Sequence, residues 1–295
     1  MEPAGIVLEP TGIESQCIEV PTAAPRQARY PSCRHIERGL AFWGRTVTAC
    51  CGNTATGLRP TIIDAFAGDV SEGAIAEGRA RIISRHKFED IVRECQGCAH
   101  LEEAEWGLSN LSPYLVDEIT VAHFTTCNIR CNYCYTVTQP ELATPLSKAP
   151  RILRTFEHLI SENLLAPNAT VRFSGGEPTL SPEFEPLLTL LVNHGVRCIV
   201  YTNAVKRSDA IMQALSRDQV ELVLGIDAAS AAVYKKIKKM NYNEKVWKTV
   251  AEYYAAKLPN AIHKVWSKFI FLIENYHEAA GLQRGDVLRS LDRTV

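Results

Sequence analysis

From about residue 115 the chain alternates short apolar runs with amphipathic stretches, and this alternation restricts the fold more than any other feature of the sequence. Residues 118–126, 170–173, 196–202, 221–227 and 268–274 are apolar runs suited to strands buried on both faces. Between the first two, residues 151–165 place Ile152, Leu153, Phe156, Leu159, Ile160 and Leu164 on one helical face. The next helix has Ser181 as N-cap, Pro182 at its first position and Gly195 just past its end. Residues 209–217 and 244–257 supply two more helices. Strands joined by helices give an α/β parallel sheet with right-handed crossovers, open or closed into a barrel. Such sheets build their sites in loops at the carboxyl ends of the strands.

The front of the chain reads differently. Residues 1–30 carry Pro3, Pro10, Pro21 and Pro25 with little periodicity, which predicts an irregular N-terminal arm. Residues 31–112 mix strand-like pieces over 41–48 with a helix over 72–85 and a short helix over 88–95. Ala76, Ala80 and Ile83 mark the first helix, although Gly73 and Gly78 each cost about 1 kcal/mol relative to alanine. A length of 295 residues is compatible with two domains at about 150 residues each. The boundary is expected near residue 112, with 113–295 as the strand–helix unit. Its last stretch is expected to hold a helix over 278–283 and a short strand near 287–291.

Charge and cysteine content narrow the function classes. With 32 basic and 33 acidic residues the net charge is −1, so neither nucleic acid nor an anionic membrane is indicated as a partner. Met1 to Gly5 show no signal-peptide pattern, and no apolar run approaches the ~20 residues that span a bilayer. A cytoplasmic location is expected. The 10 cysteines are clustered, and in a reducing compartment clustered thiols read as metal or redox sites rather than disulfides.

Cys127, Cys131 and Cys134 form a C-x3-C-x2-C run directly after an expected strand. Three thiolates within eight residues can wrap an iron–sulfur cube and leave one iron open, since a 4Fe–4S cluster normally takes four. A structural zinc site would want a fourth Cys or His close by, and none follows. Ser174, Gly175, Gly176, Glu177 and Pro178 end the next strand. Glycines there let a ligand approach the backbone, and a carboxylate or carbonyl can accept from an ammonium group.

The cysteine spacing, the aromatic Tyr133 before the third cysteine, and the Gly-Gly-Glu motif together resemble the radical S-adenosylmethionine (radical SAM) superfamily. The resemblance covers roughly residues 118–274 and implies a partial (β/α)6 TIM-like barrel. It implies that SAM chelates the open iron, that one electron cleaves its C–S bond, and that the 5′-deoxyadenosyl radical takes a hydrogen atom from a substrate. An electron donor such as flavodoxin or ferredoxin is then a partner. By the same resemblance Thr202, Asn203 and Asp227 lie near SAM. Relatives carry Ser two residues before this Asp, where the chain has Gly225. They carry Arg about eleven residues after it, where the chain has Lys238, a point charge rather than a fork. Lys238 can equally be part of a solvated helix face with Lys235, Lys236 and Lys239.

Cys33, Cys50, Cys95 and Cys98 offer four more thiolates. They resemble the SPASM or Twitch-like auxiliary domains of radical SAM enzymes, although those usually follow the barrel. The resemblance implies a second 4Fe–4S cluster; a zinc ribbon uses the same ligands. Cys50 is taken as ligand in preference to Cys51, and Cys17 and Cys198 are given no metal role. His123 reads as a core histidine near the strand end, and His35 and His100 flank the front thiols. Auxiliary-cluster enzymes often act on peptides or proteins, which makes a peptide or protein the first expectation for substrate. A carbohydrate or nucleoside in a biosynthetic pathway is the alternative, and a non-catalytic iron–sulfur or zinc-binding protein is the reading from another class.

Overall fold

The computed structural model describes residues 29–278 apart from 53–56, 69, 89–90, 106–114, 242–243 and 263–264. The strands are β1 (Arg29–Ser32), β2 (Gly39–Trp43), β3 (Thr46–Thr48), β4 (Thr61–Ile63), β5 (Glu102–Glu105), β6 (Val116–Ala122), β7 (Leu165–Phe173), β8 (Arg197–Thr202), β9 (Val220–Gly225) and β10 (Val265–Lys268). The helices are α1 (Arg34–Arg38), α2 (Glu72–Phe88), α3 (Tyr135–Thr138), α4 (Leu153–Ser161), α5 (Phe184–Asn193), α6 (Asp209–Ser216), α7 (Ala231–Lys238) and α8 (Glu244–Ala256).

Eight strands form one sheet in the order β10-β9-β8-β7-β6-β2-β3-β4. From β10 to β2 every pairing is parallel, and β3 and β4 continue it antiparallel. This is the expected α/β class, a mostly parallel sheet with helices, of the partial TIM-like barrel type. Burial follows the alternation: in β6, Ile119 and Val121 are buried while Glu118 and Thr120 are half-buried on the other face. The helical side holds the core, where Phe156 and Leu159 of α4 meet Phe173, Phe184 and Leu187. Burying each such side chain contributes about 2 kcal/mol.

The front of the chain is continuous with this core. Gly39–Trp43 pairs with Glu118–Ala122, so the sheet runs past the boundary expected at 112, itself among the undescribed residues 106–114. Leu40, Phe42, Ile62, Phe66 and Ile75 belong to the same buried cluster as Ile119 and Phe156. The reason is the character of β2, which is buried through Gly39–Phe42. A strand covered on both faces belongs inside a sheet. β2 thus supplies a sixth parallel strand, between β6 and β3. The strand expected near 287–291, the helix over 278–283 beyond its first residue, and the arm with Cys17 lie outside the described residues.

Local departures have local causes. β6 stops at Ala122 rather than 126, because Thr125 donates its N–H to the Thr144 carbonyl instead of to the sheet. α5 starts at Phe184, two residues after Pro182; the Ser181 hydroxyl accepts the Glu183 N–H without capping the helix itself. The last strand is Val265–Lys268 rather than 268–274, because the Ile270 N–H is drawn 2.6 Å from Asp227 Oδ1 and leaves the ladder. The short helix over 88–95 shrinks to a 3-10 turn at Arg93–Cys95.

Candidate functional site

The loop carrying Cys127, Cys131 and Cys134 lies at the carboxyl end of β6 and is tethered on three sides. The first tether is the loop after β7. Ser174, Gly176 and Glu177 donate their N–H groups to the carbonyls of Val121, Phe124 and Thr126 at 2.9, 2.9 and 3.0 Å. Gly176 is required by this contact, since a Cβ there would stand 2.1 Å from the Thr126 oxygen. The glycine therefore serves backbone-to-backbone packing against the cysteine loop, not only the approach of a ligand.

The second tether comes from the end of β8. Glu177 is 2% exposed and accepts four hydrogen bonds. They come from Thr179 N (3.3 Å), Thr179 Oγ1 (2.7 Å), Thr202 Oγ1 (2.7 Å) and Asn203 N (2.8 Å). Burial pushes its carboxyl up, and the bonds from Asn203, Thr179 and Thr202 pull it back down. Asn203, fixed in this way, points Nδ2 at Cys127 Sγ (3.5 Å) and Asn128 Oδ1 (2.7 Å).

The third tether is α7, whose chain turns left-handed at Lys239 (φ 56°). Helix ends leave carbonyls without partners. Here Ile237 and Lys238 direct theirs at the N–H groups of Asn132 (2.9 Å) and Arg130 (3.2 Å), which flank Cys131. Lys238 is 1% exposed, so it is neither a solvated face residue nor a free cation. Its Nζ donates to Asp227 Oδ2 (2.5 Å) and to the Tyr133 hydroxyl (3.2 Å), and Tyr133 donates to the same Asp227 oxygen (2.5 Å). Asp227 is fully buried, and its other oxygen takes the Ile270 N–H.

Each thiol has a polar neighbour. Cys127 meets Asn203 Nδ2, Cys131 meets the Tyr133 hydroxyl, and Cys134 Sγ lies 3.1 Å from Thr136 Oγ1. Cys127 is an exposed residue, yet the protein packed about its sulfur pushes the thiol up to about 11. The Cys131 thiol is pushed up too, against the pull of the Lys238 charge. Thiols so placed resist ionisation in isolation and suit a cationic iron–sulfur group that takes the thiolate form. The residues present therefore fit such a cluster.

Sequence reasoning did not single out Thr136 or Asn275. Asn275, fully buried, donates Nδ2 to the carbonyls of Asp227 and Ile270 (2.8 Å each). Neither residue has a sequence signal, because its role depends on loop geometry. His123 turns to the helical side beside Ile152, Phe184 and Leu187, and burial lowers its pKa to about 4.

The front thiols are gathered by topology. β1 pairs antiparallel with β5, setting Ser32 opposite Glu102, so Cys33 just after β1 comes near Cys98 just before β5. Gly39 lets the chain at Ala49 press against α1, since a Cβ there would stand 2.4 Å from the Ala49 oxygen. This brings Cys50 into the group. Cys33 and Cys95 are buried; Cys50 feels the charges of Cys51, Cys33 and Cys98, and Cys95 those of Cys33, Cys50 and Cys98. Cys51 is exposed. A cavity of about 320 Å3 lies beside Cys50 and Cys51, lined also by His35, Glu118, Thr120 and Arg172. His35 is half-buried, 3.2 Å from Glu118. Among the described residues no three His, Cys, Asp or Glu side chains converge on a point that one metal ion would fill. No helix among them is long and apolar enough to cross a membrane.

Residues 121–282 match the Radical SAM superfamily. The chain belongs to that superfamily. Radical SAM proteins are enzymes, and the family implies a 4Fe–4S cluster and SAM binding. Among curated proteins, Molybdenum cofactor biosynthesis protein 1 of Dictyostelium discoideum is 39% identical over 64 residues, 21% of this chain and 10% of that one. Among solved structures, Streptococcus suis SuiB bound to S-adenosylmethionine has a TM-score of 0.46 and 14% identity, covering 72% of this chain and 42% of its own. The enzyme anSMEcpe, solved with bound AdoMet and a Cp18Cys peptide, has a TM-score of 0.39 and 17% identity over 50% of this chain and 42% of its own. The chain thus spans less than half the length of each of these proteins.

Proposed function

We propose that the chain holds a 4Fe–4S cluster on Cys127, Cys131 and Cys134 and binds SAM against it. In this reading it cleaves SAM reductively and removes a hydrogen atom from a substrate. The three-sided tethering of the cysteine loop, with a polar neighbour for every thiol, carries the reading. When bound, the cluster and SAM supply the 5′-deoxyadenosyl radical; the protein's part is to position and to shield. Glu177 already accepts four hydrogen bonds, so it acts through Asn203 and Thr202 rather than on SAM. This leaves the carbonyls of Ser174, Gly175 and Gly176 to accept from the SAM ammonium. Tyr133, Asp227 and Lys238 are committed to one another and support the loop from behind.

The reading extends to a second 4Fe–4S cluster on Cys33, Cys50, Cys95 and Cys98, in a front segment of auxiliary-cluster type. Two features support it: the pairing of β1 with β5, which draws the segments of Cys33 and Cys98 together, and the cavity of about 320 Å3 lined by Cys50 and Cys51. A cube takes one thiolate per iron and so wants a wider set than zinc, which gathers its sulfurs about 2.3 Å from a single ion. A peptide or protein substrate fits this assignment. The likeness to a molybdenum cofactor biosynthesis protein favours the second reading, a small molecule in a biosynthetic pathway. An electron donor of flavodoxin or ferredoxin type is the partner that the chemistry requires, in a cytoplasmic setting.

Anaerobic reconstitution followed by SAM and dithionite tests the proposal. The expected product is 5′-deoxyadenosine, and its absence from a fully reconstituted sample refutes the enzyme reading. Iron near eight per chain indicates two cubes, and iron near four with one zinc indicates a zinc ribbon in front.

A further inference from the structure

We propose that Lys238 is a positioning residue that sets the reduction potential of the cluster at Cys131, acting as a buried cation clamped by Asp227 and Tyr133 rather than as a grip on the SAM carboxylate. The inference rests on the assignment of Cys131 as a cluster ligand. Its basis is the way α7 ends. The N–H groups on either side of Cys131 are bonded to the last two carbonyls of that helix, so the backbone of the cysteine loop abuts a helix C-terminus at this residue. A helix C-terminus carries partial negative charge, which disfavours a thiolate and any further electron placed beside it. The ammonium of the last helical residue offsets this.

Lys238 is held in that place from both sides. It is 1% exposed, and its Nζ is bonded to Asp227 Oδ2 and to the Tyr133 hydroxyl. Asp227 is held in turn by the N–H of Ile270 and by Asn275, which bonds its backbone carbonyl. An ammonium so enclosed has little freedom to reach a ligand. The Tyr133 hydroxyl accepts from Lys238 and donates to Asp227, and Tyr133 stands two residues after Cys131 in the same loop, which ties the ion pair to the cysteine loop. Reduction adds one electron to the cluster, and nearby charge and hydrogen bonds to the cysteine sulfurs tune that step. At a site so little exposed, solvent screens the charge weakly.

The test is a redox titration of the reconstituted full chain, following the reduced-cluster EPR signal that is lost in Cys131→Ala protein. Lys238→Met is expected to move the midpoint to a more negative potential with iron and sulfide content retained. Lys238→Arg is expected to restore most of the shift. Tyr133→Phe is expected to shift it in the same direction by less. Asp227→Asn is expected to shift it the other way, because it removes the negative member of the pair. A merely structural role would not give shifts of opposite sign. An unchanged midpoint in Lys238→Met overturns the proposal, as does a weakened SAM affinity with an unchanged midpoint. Should Lys238→Met lose its cluster, an unshifted Tyr133→Phe and Asp227→Asn pair overturns it instead. If no EPR signal depends on Cys131, the cluster assignment itself fails, and that result is distinct from any of these.

Discussion

Replacing Glu177 with glutamine tests whether this side chain is the strut that holds the site together. The carboxylate is 2% exposed and accepts four hydrogen bonds, from two hydroxyls and two backbone N–H groups. An amide keeps one acceptor oxygen. If that oxygen takes the place of Oε1, the Thr179 and Thr202 bonds persist but lose the help of the negative charge, which about halves their strength. The amide nitrogen then faces the Asn203 N–H, donor against donor. Losing one hydrogen bond to a charged group costs about 1.5–3 kcal/mol, and weakening the others brings the total to roughly 2–4 kcal/mol. Against a typical stability of about 5–15 kcal/mol that is a large fraction. Urea unfolding of the purified chain reads the loss directly. Because Asn203 is released, iron uptake at the Cys127 loop is expected to fall as well. A stability change below about 1 kcal/mol with normal iron content would refute the argument that Glu177 carries these bonds in the folded state.

The other expectations are simpler. Cys127→Ala, Cys131→Ala and Cys134→Ala proteins are each expected to lose 5′-deoxyadenosine formation, read by chromatography, while front-site iron remains in a metal assay. Cys50→Ala is expected to deplete the front metal and Cys51→Ala to spare it; equal depletion by both would contradict the assignment. Gly176→Ala forces a Cβ to within 2.1 Å of the Thr126 oxygen. It is expected to cost about 3 kcal/mol or more in a urea melt, and a near-neutral result would show that the loop yields. His123 titrates near 4 in the folded chain against about 6.5 unfolded, so folding excludes its proton. Stability is then full above about pH 6.5 and declines by roughly 3 kcal/mol as pH falls toward 4. His123→Phe is expected to remove that part of the decline, measured as urea midpoints at both ends of the range.

Much of the core was legible because it depends on period and local chemistry. The apolar runs at 196–202 and 221–227 became β8 and β9 almost residue for residue, and Gly195 takes the left-handed conformation expected past a helix end (φ 71°). The run at 268–274 misled for a reason outside any local pattern. It is as apolar as a strand, yet Asp227, more than forty residues earlier, takes its Ile270 N–H. The solvated-face reading of Lys238 failed for a similar reason. Among four lysines at helical spacing nothing in the sequence marks it as buried, and only the fold places its ammonium between Asp227 and Tyr133.

The sequence by itself determined the superfamily and the α/β class, and it marked the clustered cysteines as candidates. Those properties follow from residue type and short-range spacing, which survive without any knowledge of the fold. Tertiary structure alone decided that β2 joins the main sheet beside β6, which makes the cysteine-rich front continuous with the core. It alone decided that Glu177 accepts the Asn203 N–H and that the last carbonyls of α7 meet the N–H groups flanking Cys131. Each of these depends on groups tens of residues apart meeting in a buried place. There every N–H, carboxylate and ammonium must find a partner, and the partner it finds fixes its role.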